Sequence, residues 1–278
     1  MERIQLNVYL SVLAPWTDIL IAELSELGFD SFVETETGLE AYANETDINQ
    51  SELSNLSVFN SSIEGLEANY TVEKIPFQNW NALWEADFKP VFVEDKITII
   101  APFHDSSIVV GLPIIIQPQM SFGTGHHQTT WMMTKAMMEF SDFPKRVLDM
   151  GTGTGVLAIL AEKIGAESIL AIDIEPWSVE NTIENANRNK CNAIEALCGD
   201  IDLVVGKEFD IVLANINKNV LKSQFSTYAS SLASGGTLII SGFFDTDVEE
   251  LKEVASANGL KFIKVFNKET WAAVQFEK

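Results

Sequence analysis

Apolar and polar residues alternate at the start of the chain. Every second position from Ile4 to Leu10 is apolar, which predicts a half-buried strand. The following run, DILIAELSEL, has helical spacing; Thr17 is expected to cap this helix and Gly28 to end it. SFVETET and GLEAYAN predict a hairpin, and SELSNLSVF and ANYTVEKI predict a second helix and a fourth strand. The order βαββαβ predicts a small ferredoxin-like α+β domain.

The hydrophobic pattern changes in the second half of the chain. Strand-like segments are expected at 91–101 and 108–117, followed by the helical run TWMMTKAMMEF, whose methionines are expected to pack in the core. From Arg146 onward, strand and helix patterns alternate regularly, which predicts a Rossmann-like, mostly parallel α/β sheet. The tail LKFIKVFNKETWAAVQFE predicts two hairpin-connected and therefore antiparallel strands.

The stretch between these two patterns is typical of a connection between domains. PFQNWNALWEADFKP, residues 76–90, contains Trp80 and Trp84 and ends in proline. The sequence therefore predicts a small domain over 1–75, a linker over 76–95 and a large domain over 96–278.

Charge and composition restrict the partners. The 278 residues include 18 Lys and Arg and 40 Asp and Glu, a net charge of −22, which argues against direct nucleic-acid binding and favours a basic partner. Residues 1–80 contain 14 acidic and two basic residues. Cys191 and Cys198 form neither a disulfide framework nor a metal-ligand set. No apolar stretch is long enough to span a membrane and no leader pattern opens the chain, so a cytoplasmic location is expected. A monomer without a bound metal is also expected.

A glycine-rich loop follows the strand that ends at Asp149. Gly151, Gly153 and Gly155 allow a tight turn and close approach of a ligand to the N-terminus of the next helix. The spacing G-x-G-x-G, with Val156 after it, differs from the dinucleotide pattern G-x-G-x-x-G or -A. An acidic residue before the glycines disfavours a pyrophosphate and favours a cationic ligand, such as the sulfonium and ammonium groups of S-adenosyl-L-methionine.

Two further strands end in polar residues that can face the same ligand. SILAIDI ends in Asp173, which lies 22 residues after Gly151 and can accept hydrogen bonds from both ribose hydroxyls. FDIVLANIN places Asn215 and Asn217 at the carboxyl edge of the sheet, where a substrate is expected. Their neutral side chains can accept hydrogen bonds from an amine, although asparagine at a strand end is also a common turn or cap residue.

Several motifs resemble one enzyme family. SFGTGHHQTT, VLDMGTGTGVLAI, AIDIEPWSVENTIENANRN, VLANI and GGTLIISG are similar in order and spacing to the bacterial methyltransferases that modify protein eleven of the large ribosomal subunit. The phrase Phe122–Thr130 is the distinctive part, because other methyltransferases share the glycine loop but not this phrase. The resemblance implies a class I methyltransferase domain with a seven-stranded sheet, S-adenosyl-L-methionine as cofactor, and cofactor contacts at Thr130, Gly151, Asp173 and Asn215.

The same resemblance implies a substrate and a separate role for each domain. Residues 1–75 look like the family's substrate-recognition module, which would bind the basic ribosomal protein, and the methyl acceptors would be its α-amino and lysine ε-amino groups. Gln117-Pro-Gln119 replaces the family's Asp-Pro-Gly, and Thr152 and Thr154 replace its Cys and Ser. Of the adjacent His126 and His127, which invite a metal or general-base interpretation, a helix-capping role is favoured.

Four alternatives remain open at the level of sequence. The chain could methylate an amine or glutamine of another protein, or it could methylate nucleic acid, which its charge disfavours. It could also be an NAD-dependent oxidoreductase, which Val156 disfavours. Finally, it could be a ribosome-associated binding protein that keeps the cofactor fold without activity.

Overall fold

The chain forms two compact units, Met1–Asp87 and Phe88–Lys278, each with its own hydrophobic core. A computed structural model describes residues 3–60, 65–75, 88–118 and 127–278. The first part of the predicted linker, including Trp80 and Trp84, lies outside these ranges. No helix within them is long and apolar enough to cross a membrane.

The first unit is built on an antiparallel sheet. Its elements are β1 Arg3–Leu10, α1 Trp16–Glu26, β2 Ser31–Thr35, β3 Gly38–Asn44, α2 Ser57–Asn60 and β4 Ala68–Ile75. The four strands lie in the order β2-β3-β1-β4. The apolar positions of β1 face a core that includes Leu20 and Leu24 of α1. This arrangement confirms the predicted ferredoxin-like domain.

Two local predictions for this unit are wrong. Helix α1 begins at Trp16, so Thr17 lies inside its first turn, where it is buried and makes no capping bond. The predicted second helix is a 3₁₀ helix, Gln50–Asn55, followed by the single turn α2. The side chain of Asn49 accepts hydrogen bonds from the amide and hydroxyl of Ser51. Such side-chain bonds compete with a regular α-helix in a segment rich in Ser and Asn.

The second unit begins with a three-stranded sheet. It consists of β5 Val91–Val93, β6 Ile97–Ile100 and β7 Leu112–Ile115. The single strand predicted over 91–101 is instead a hairpin, because Glu94 and Asp95 adopt positive φ values of 49° and 54° and turn the chain. The C-terminal part of the predicted linker therefore belongs to this sheet, and the second predicted strand is shorter than 108–117.

The rest of the second unit forms the predicted mixed sheet of seven strands and its helices. These elements are α3 Gln128–Met137, β8 Arg146–Met150, α4 Val156–Lys163, β9 Ser168–Asp173, α5 Pro176–Arg188, β10 Ile194–Cys198, β11 Phe209–Asn215, α6 Lys218–Ser231, β12 Leu232–Phe244, α7 Val248–Ala257, β13 Lys261–Lys268 and β14 Trp271–Glu277. The strand order is β10-β9-β8-β11-β12-β14-β13. The first five strands in this order, β10, β9, β8, β11 and β12, are parallel. Strand β14 is antiparallel to both β12 and β13, as predicted for the C-terminal hairpin.

The core of the second unit has one layer on each face of the large sheet. Ile211 and Leu213 of β11 face the layer that contains α3 and α4, whereas Val212 and Ala214 face the layer that contains α6 and α7. The predicted packing role of the methionines in α3 is confirmed for the fully buried Met132, Met133 and Met137. The parallel strands all present their carboxyl ends at one edge of the sheet, where ligands bind in folds of this kind.

Candidate active site

A cavity of about 590 Å³ lies at this carboxyl edge. Residues at or just after the ends of four neighbouring parallel strands line it, namely Asp200 after β10, Asp173 on β9, Gly151 after β8 and Asn215 on β11. The structure therefore brings together three residues that sequence reasoning selected from separate strands. Thr130, Gly153 and Asn217 also line the cavity.

The glycine loop needs residues without a side chain. Gly151, Gly153 and Gly155 have φ values of 75°, 57° and 79°, a region that other residues rarely adopt. A Cβ atom at Gly151 would lie 2.1 Å from Cγ2 of Ile216, and one at Gly155 would lie 2.9 Å from Cγ2 of Thr182. Gly155 is not part of the cavity wall; it ends the loop and precedes the first residue of α4.

The amide groups of this loop bond to the protein itself. The N–H groups of Gly151 and Thr152 donate to the carbonyl oxygen of Ile172 at 2.8 and 3.0 Å. The N–H group of Gly153 donates to Oδ2 of Asp173 at 2.9 Å. These three donors are thus already engaged, whereas a dinucleotide site presents loop amides to the pyrophosphate. This arrangement agrees with the prediction that the loop does not serve a dinucleotide.

Asp149 lies behind the loop and does not line the cavity. Its Oδ2 accepts hydrogen bonds from the Thr152 hydroxyl at 2.8 Å and from the Ala158 amide at 3.2 Å. Its Oδ1 has no hydrogen-bond partner among the described residues. Burial raises the pKa of the Asp149 carboxyl to about 7, and the charge of Asp173 adds to the effect. Asp149 thus holds the loop through these two hydrogen bonds, and its predicted contact with a cofactor stays a prediction.

Asp173 is held by backbone amides on both carboxylate oxygens. Besides the bond from Gly153 to Oδ2, the Glu175 amide donates to Oδ1 at 3.1 Å. A carboxylate oxygen can accept two hydrogen bonds, so each oxygen retains capacity for a ligand hydroxyl. Asp173 is therefore oriented by the loop and can still accept from two adjacent hydroxyl groups.

Asn215 and Thr130 meet on the opposite side of the loop. Thr130 lies in the first turn of α3, and its hydroxyl accepts a long hydrogen bond of 3.5 Å from Nδ2 of Asn215. This contact orients the Asn215 amide group, whose oxygen can accept a hydrogen bond from an amine. Asn217 is the N-cap of α6, where its Oδ1 accepts from the Asn219 amide at 2.9 Å. The catalytic role predicted for Asn217 stays a prediction.

His127 has the predicted capping role. Its Nδ1 accepts a hydrogen bond from the Thr129 amide at the start of α3. Its ring also contacts Trp271 edge to face, with ring centroids 4.6 Å apart. His126, Gln119 and most of the Phe122–Thr130 phrase lie outside the described residues.

Sequence reasoning missed several residues of the cavity wall. Asp200 follows the end of β10, and the rule that identified Asp173 would also have found it. Ile174 and Trp177 line the cavity with exposed side chains, and Trp271 of β14 also lines it. Ile174 and Trp177 closely follow Asp173, but their apolar side chains do not mark a ligand site, and the role of Trp271 depends on the approach of a strand that is remote in sequence.

The sheet order, the tight glycine loop and the strand-end cavity define a Rossmann-like class I methyltransferase domain. The chain belongs to the family described as Ribosomal protein L11 methyltransferase (PrmA), whose model matches residues 20–278. The predicted family and the predicted class, an S-adenosylmethionine-dependent protein methyltransferase, are therefore confirmed. This result excludes the oxidoreductase alternative.

Individual relatives agree with this assignment. A ribosomal protein L11 methyltransferase from Porphyromonas gingivalis is 44% identical over 262 residues, which cover 93% of this chain and 90% of the relative. A protein of the same name from Chlorobaculum tepidum is 35% identical over 266 residues, which cover 94% and 92%. The crystal structure of a ribosomal protein L11 methylase from Lactobacillus delbrueckii subsp. bulgaricus is 26% identical, with a TM-score of 0.63, and the match covers 68% of this chain and 98% of that one.

Proposed function

We propose that this protein transfers methyl groups from S-adenosyl-L-methionine to the α-amino and lysine ε-amino groups of ribosomal protein L11. The observation that carries the proposal is the meeting of Asp173, the glycine loop and Asn215 in one cavity. Relatives that are 44% and 35% identical to this chain are named for this substrate.

The order of the strands supports one orientation of the cofactor. Asp173 on β9 would accept from the ribose hydroxyls, and the loop after β8 would hold the methionine end. Asn215 on β11 and Thr130 would then lie on the side where the acceptor enters. The bound cofactor supplies a methyl group activated by its sulfonium. The remaining task of the protein is to align an amine with that methyl group, and alignment is the main source of acceleration in such a transfer.

The acceptor must lose a proton before it can react. A lysine amine with a pKa of about 10.4 is neutral in roughly one molecule in 2,500 at pH 7, whereas an α-amine near 7.8 is neutral in roughly one in seven. A carboxylate beside the amine would stabilise its charged form, so the neutral oxygen of Asn215 is the better partner for the reactive amine. The α-amine is therefore the easier target.

The first unit would recognise the substrate. Its 14 acidic and two basic residues within 1–80 favour a basic protein over a nucleic acid. Substrate recognition by residues 1–75, a monomeric state and a cytoplasmic location remain parts of this proposal.

Methyl-labelled S-adenosyl-L-methionine, incubated with the protein and a ribosomal extract from cells lacking this enzyme, tests the proposal. Label in L11 alone is the expected result. Label in RNA would favour the alternative that this chain methylates nucleic acid, and label in another protein would favour the alternative that it methylates a different protein. No label would favour an inactive binding protein. Asn215→Ala serves as the control for contaminating enzymes, because it removes the proposed amine acceptor and should lose most of the incorporation.

A further inference from the structure

Helix α5 carries a buried polar stripe. Asn181, Asn185 and the C-cap residue Asn189 follow one another at intervals of four residues, and their exposed fractions are 1%, 0% and 8%. Asparagine is a poor helix former, and a buried amide is costly unless its hydrogen bonds are satisfied. The stripe therefore needs an explanation in the contacts that it makes.

On one side, the stripe holds the glycine loop. Nδ2 of Asn185 donates to the carbonyl oxygen of Thr154 at 2.9 Å. The hydroxyl of Thr182, on the same helix, donates to the carbonyl oxygen of Gly153 at 3.1 Å. Two successive carbonyl groups of the loop are thus fixed by α5, and this fixes the peptide planes beside the cavity wall.

On the other side, the stripe holds the backbone at the end of β7. Oδ1 of Asn185 accepts from the Gln117 amide at 2.8 Å. Asn189 accepts from the Ile115 amide at 2.9 Å and donates to the Ile115 carbonyl at 2.6 Å. Asn189 makes no hydrogen bond to the loop among the described contacts. Asn185 is the residue whose side chain bonds to both segments.

The two contacts of Asn185 determine its identity. The Gln117 amide is a donor and the Thr154 carbonyl is an acceptor, so the side chain must present one acceptor and one donor at opposite ends. An amide does this, whereas an ionised carboxylate has no donor and leucine has neither group. A flipped amide would place like groups against each other on both sides, so a single orientation is favoured.

We propose that Asn185 is a positioning residue for methyl transfer, which couples the glycine loop to the backbone at Gln117. This inference rests on the proposed function, because it assumes that the loop holds S-adenosylmethionine. Thr154 is buried and directly follows Gly153, which lines the cavity, so Asn185 would pass a restraint on the loop from the adjacent Thr154 carbonyl to Gln117. Loss of the bridge lets the loop shift, which weakens binding and misaligns the methyl group.

The matched pair Asn185→Leu and Asn189→Leu tests the proposal. Each variant loses a buried amide of the same helical stripe, so both should lower the melting temperature of the ligand-free protein. Only Asn185→Leu should weaken S-adenosylhomocysteine binding in calorimetry, by about tenfold, and lower kcat at saturating cofactor. Equal weakening in both variants, or unchanged binding in Asn185→Leu, would overturn the proposal.

A measurement on the wild-type protein tests the coupling even if Asn185→Leu fails to fold. Addition of S-adenosylhomocysteine should slow hydrogen exchange at the Gln117 amide much more than at the Ile115 amide, which Asn189 holds. An equal change at both amides, or none, would contradict the proposal. Absence of S-adenosylhomocysteine binding to the wild-type protein would instead refute the proposed function, so the two failures are distinguishable.

Discussion

At the scale of residues, Asp149 combines a structural contact with an unusual titration. Its carboxyl group is fully buried and receives hydrogen bonds on one oxygen only, among the described residues. Desolvation outweighs these bonds and raises its pKa to about 7. The group that orients the glycine loop is therefore also one that changes charge near neutral pH.

This titration should appear in the pH dependence of stability. The unfolded carboxyl has a pKa of about 3.9, so between that value and pH 7 the folded state holds more protons than the unfolded state. Proton binding to the folded Asp149 carboxyl therefore contributes to stability, and this contribution is complete below about pH 4 and is lost as the pH rises through 7. Asp149→Asn cannot ionise, so its free energy of unfolding should rise relative to wild type across this window. Urea unfolding measures the difference.

The exposed Asp245→Asn is the control for this prediction, and its stability should follow wild type at every pH. Parallel pH profiles for Asp149→Asn and wild type would contradict the assigned pKa.

The sequence predicts a position in the cavity wall best where a polar residue ends an apolar strand, and the roles of such residues in binding stay predictions. Asp173 and Asn215 were identified because strand ends of a parallel sheet meet at one edge. Asp149 satisfied the same rule, yet its side chain lies behind the loop, because the Thr152 hydroxyl and the Ala158 amide hold it there. Such contacts depend on the path of the loop, which the residue types alone do not specify.

At the scale of elements, β12 crosses close to the turn between β11 and α6. Gly242 has a φ of 100°, and a Cβ atom there would lie 2.2 Å from the carbonyl oxygen of Ile216. Gly235, on the same strand, has a φ of 76° with nothing within 4 Å of the corresponding position. The two glycines share a positive φ but differ in their surroundings.

Alanine at each of these glycines should separate strain from steric exclusion. Gly235→Ala should cost about 1–2 kcal/mol from its positive φ alone and leave cofactor affinity unchanged. Gly242→Ala should cost more and weaken S-adenosylhomocysteine binding, because it displaces Ile216 and the adjacent Asn215. Urea unfolding and calorimetry measure both effects. Equal behaviour of the two variants would show that close packing at Gly242 has no role in the site.

The sequence predicts helices and strands best where their hydrophobic patterns continue without interruption. The regular alternation after Arg146 gave the strands and helices of the large sheet, whereas 91–101 concealed a turn at Glu94 and Asp95. The sequence also placed α5 without revealing its function. Asparagines at 181, 185 and 189 conflict with a core-facing helix, and that conflict is the signal for a buried network.

At the scale of the whole molecule, most of the net negative charge and the candidate cavity belong to different units. The cavity lies in Phe88–Lys278, whereas the excess of acidic residues is concentrated in residues 1–80. The composition of the two segments predicts this division, because an acidic segment without ligand motifs favours binding of a basic partner.

Deletion of residues 1–75 should separate cofactor binding from methylation of L11. The second unit has its own core, so the shortened protein should bind S-adenosylhomocysteine with unchanged affinity but fail to methylate L11. Calorimetry and label transfer measure the two effects on one sample. Retained methylation would refute the role of the first unit in substrate recognition, provided that the shortened protein melts cooperatively.

Calorimetric titration of S-adenosyl-L-methionine tests the central claim most directly. The wild-type protein should bind it, and Asp173→Asn should weaken binding by about ten- to a hundredfold, because a charge-assisted hydrogen bond to the ribose is lost. Asp202→Asn, which alters an exposed carboxylate outside the cavity wall, should bind as wild type does. No binding to the wild-type protein, or equal affinity in the Asp173 variant, would contradict the assignment of this cavity.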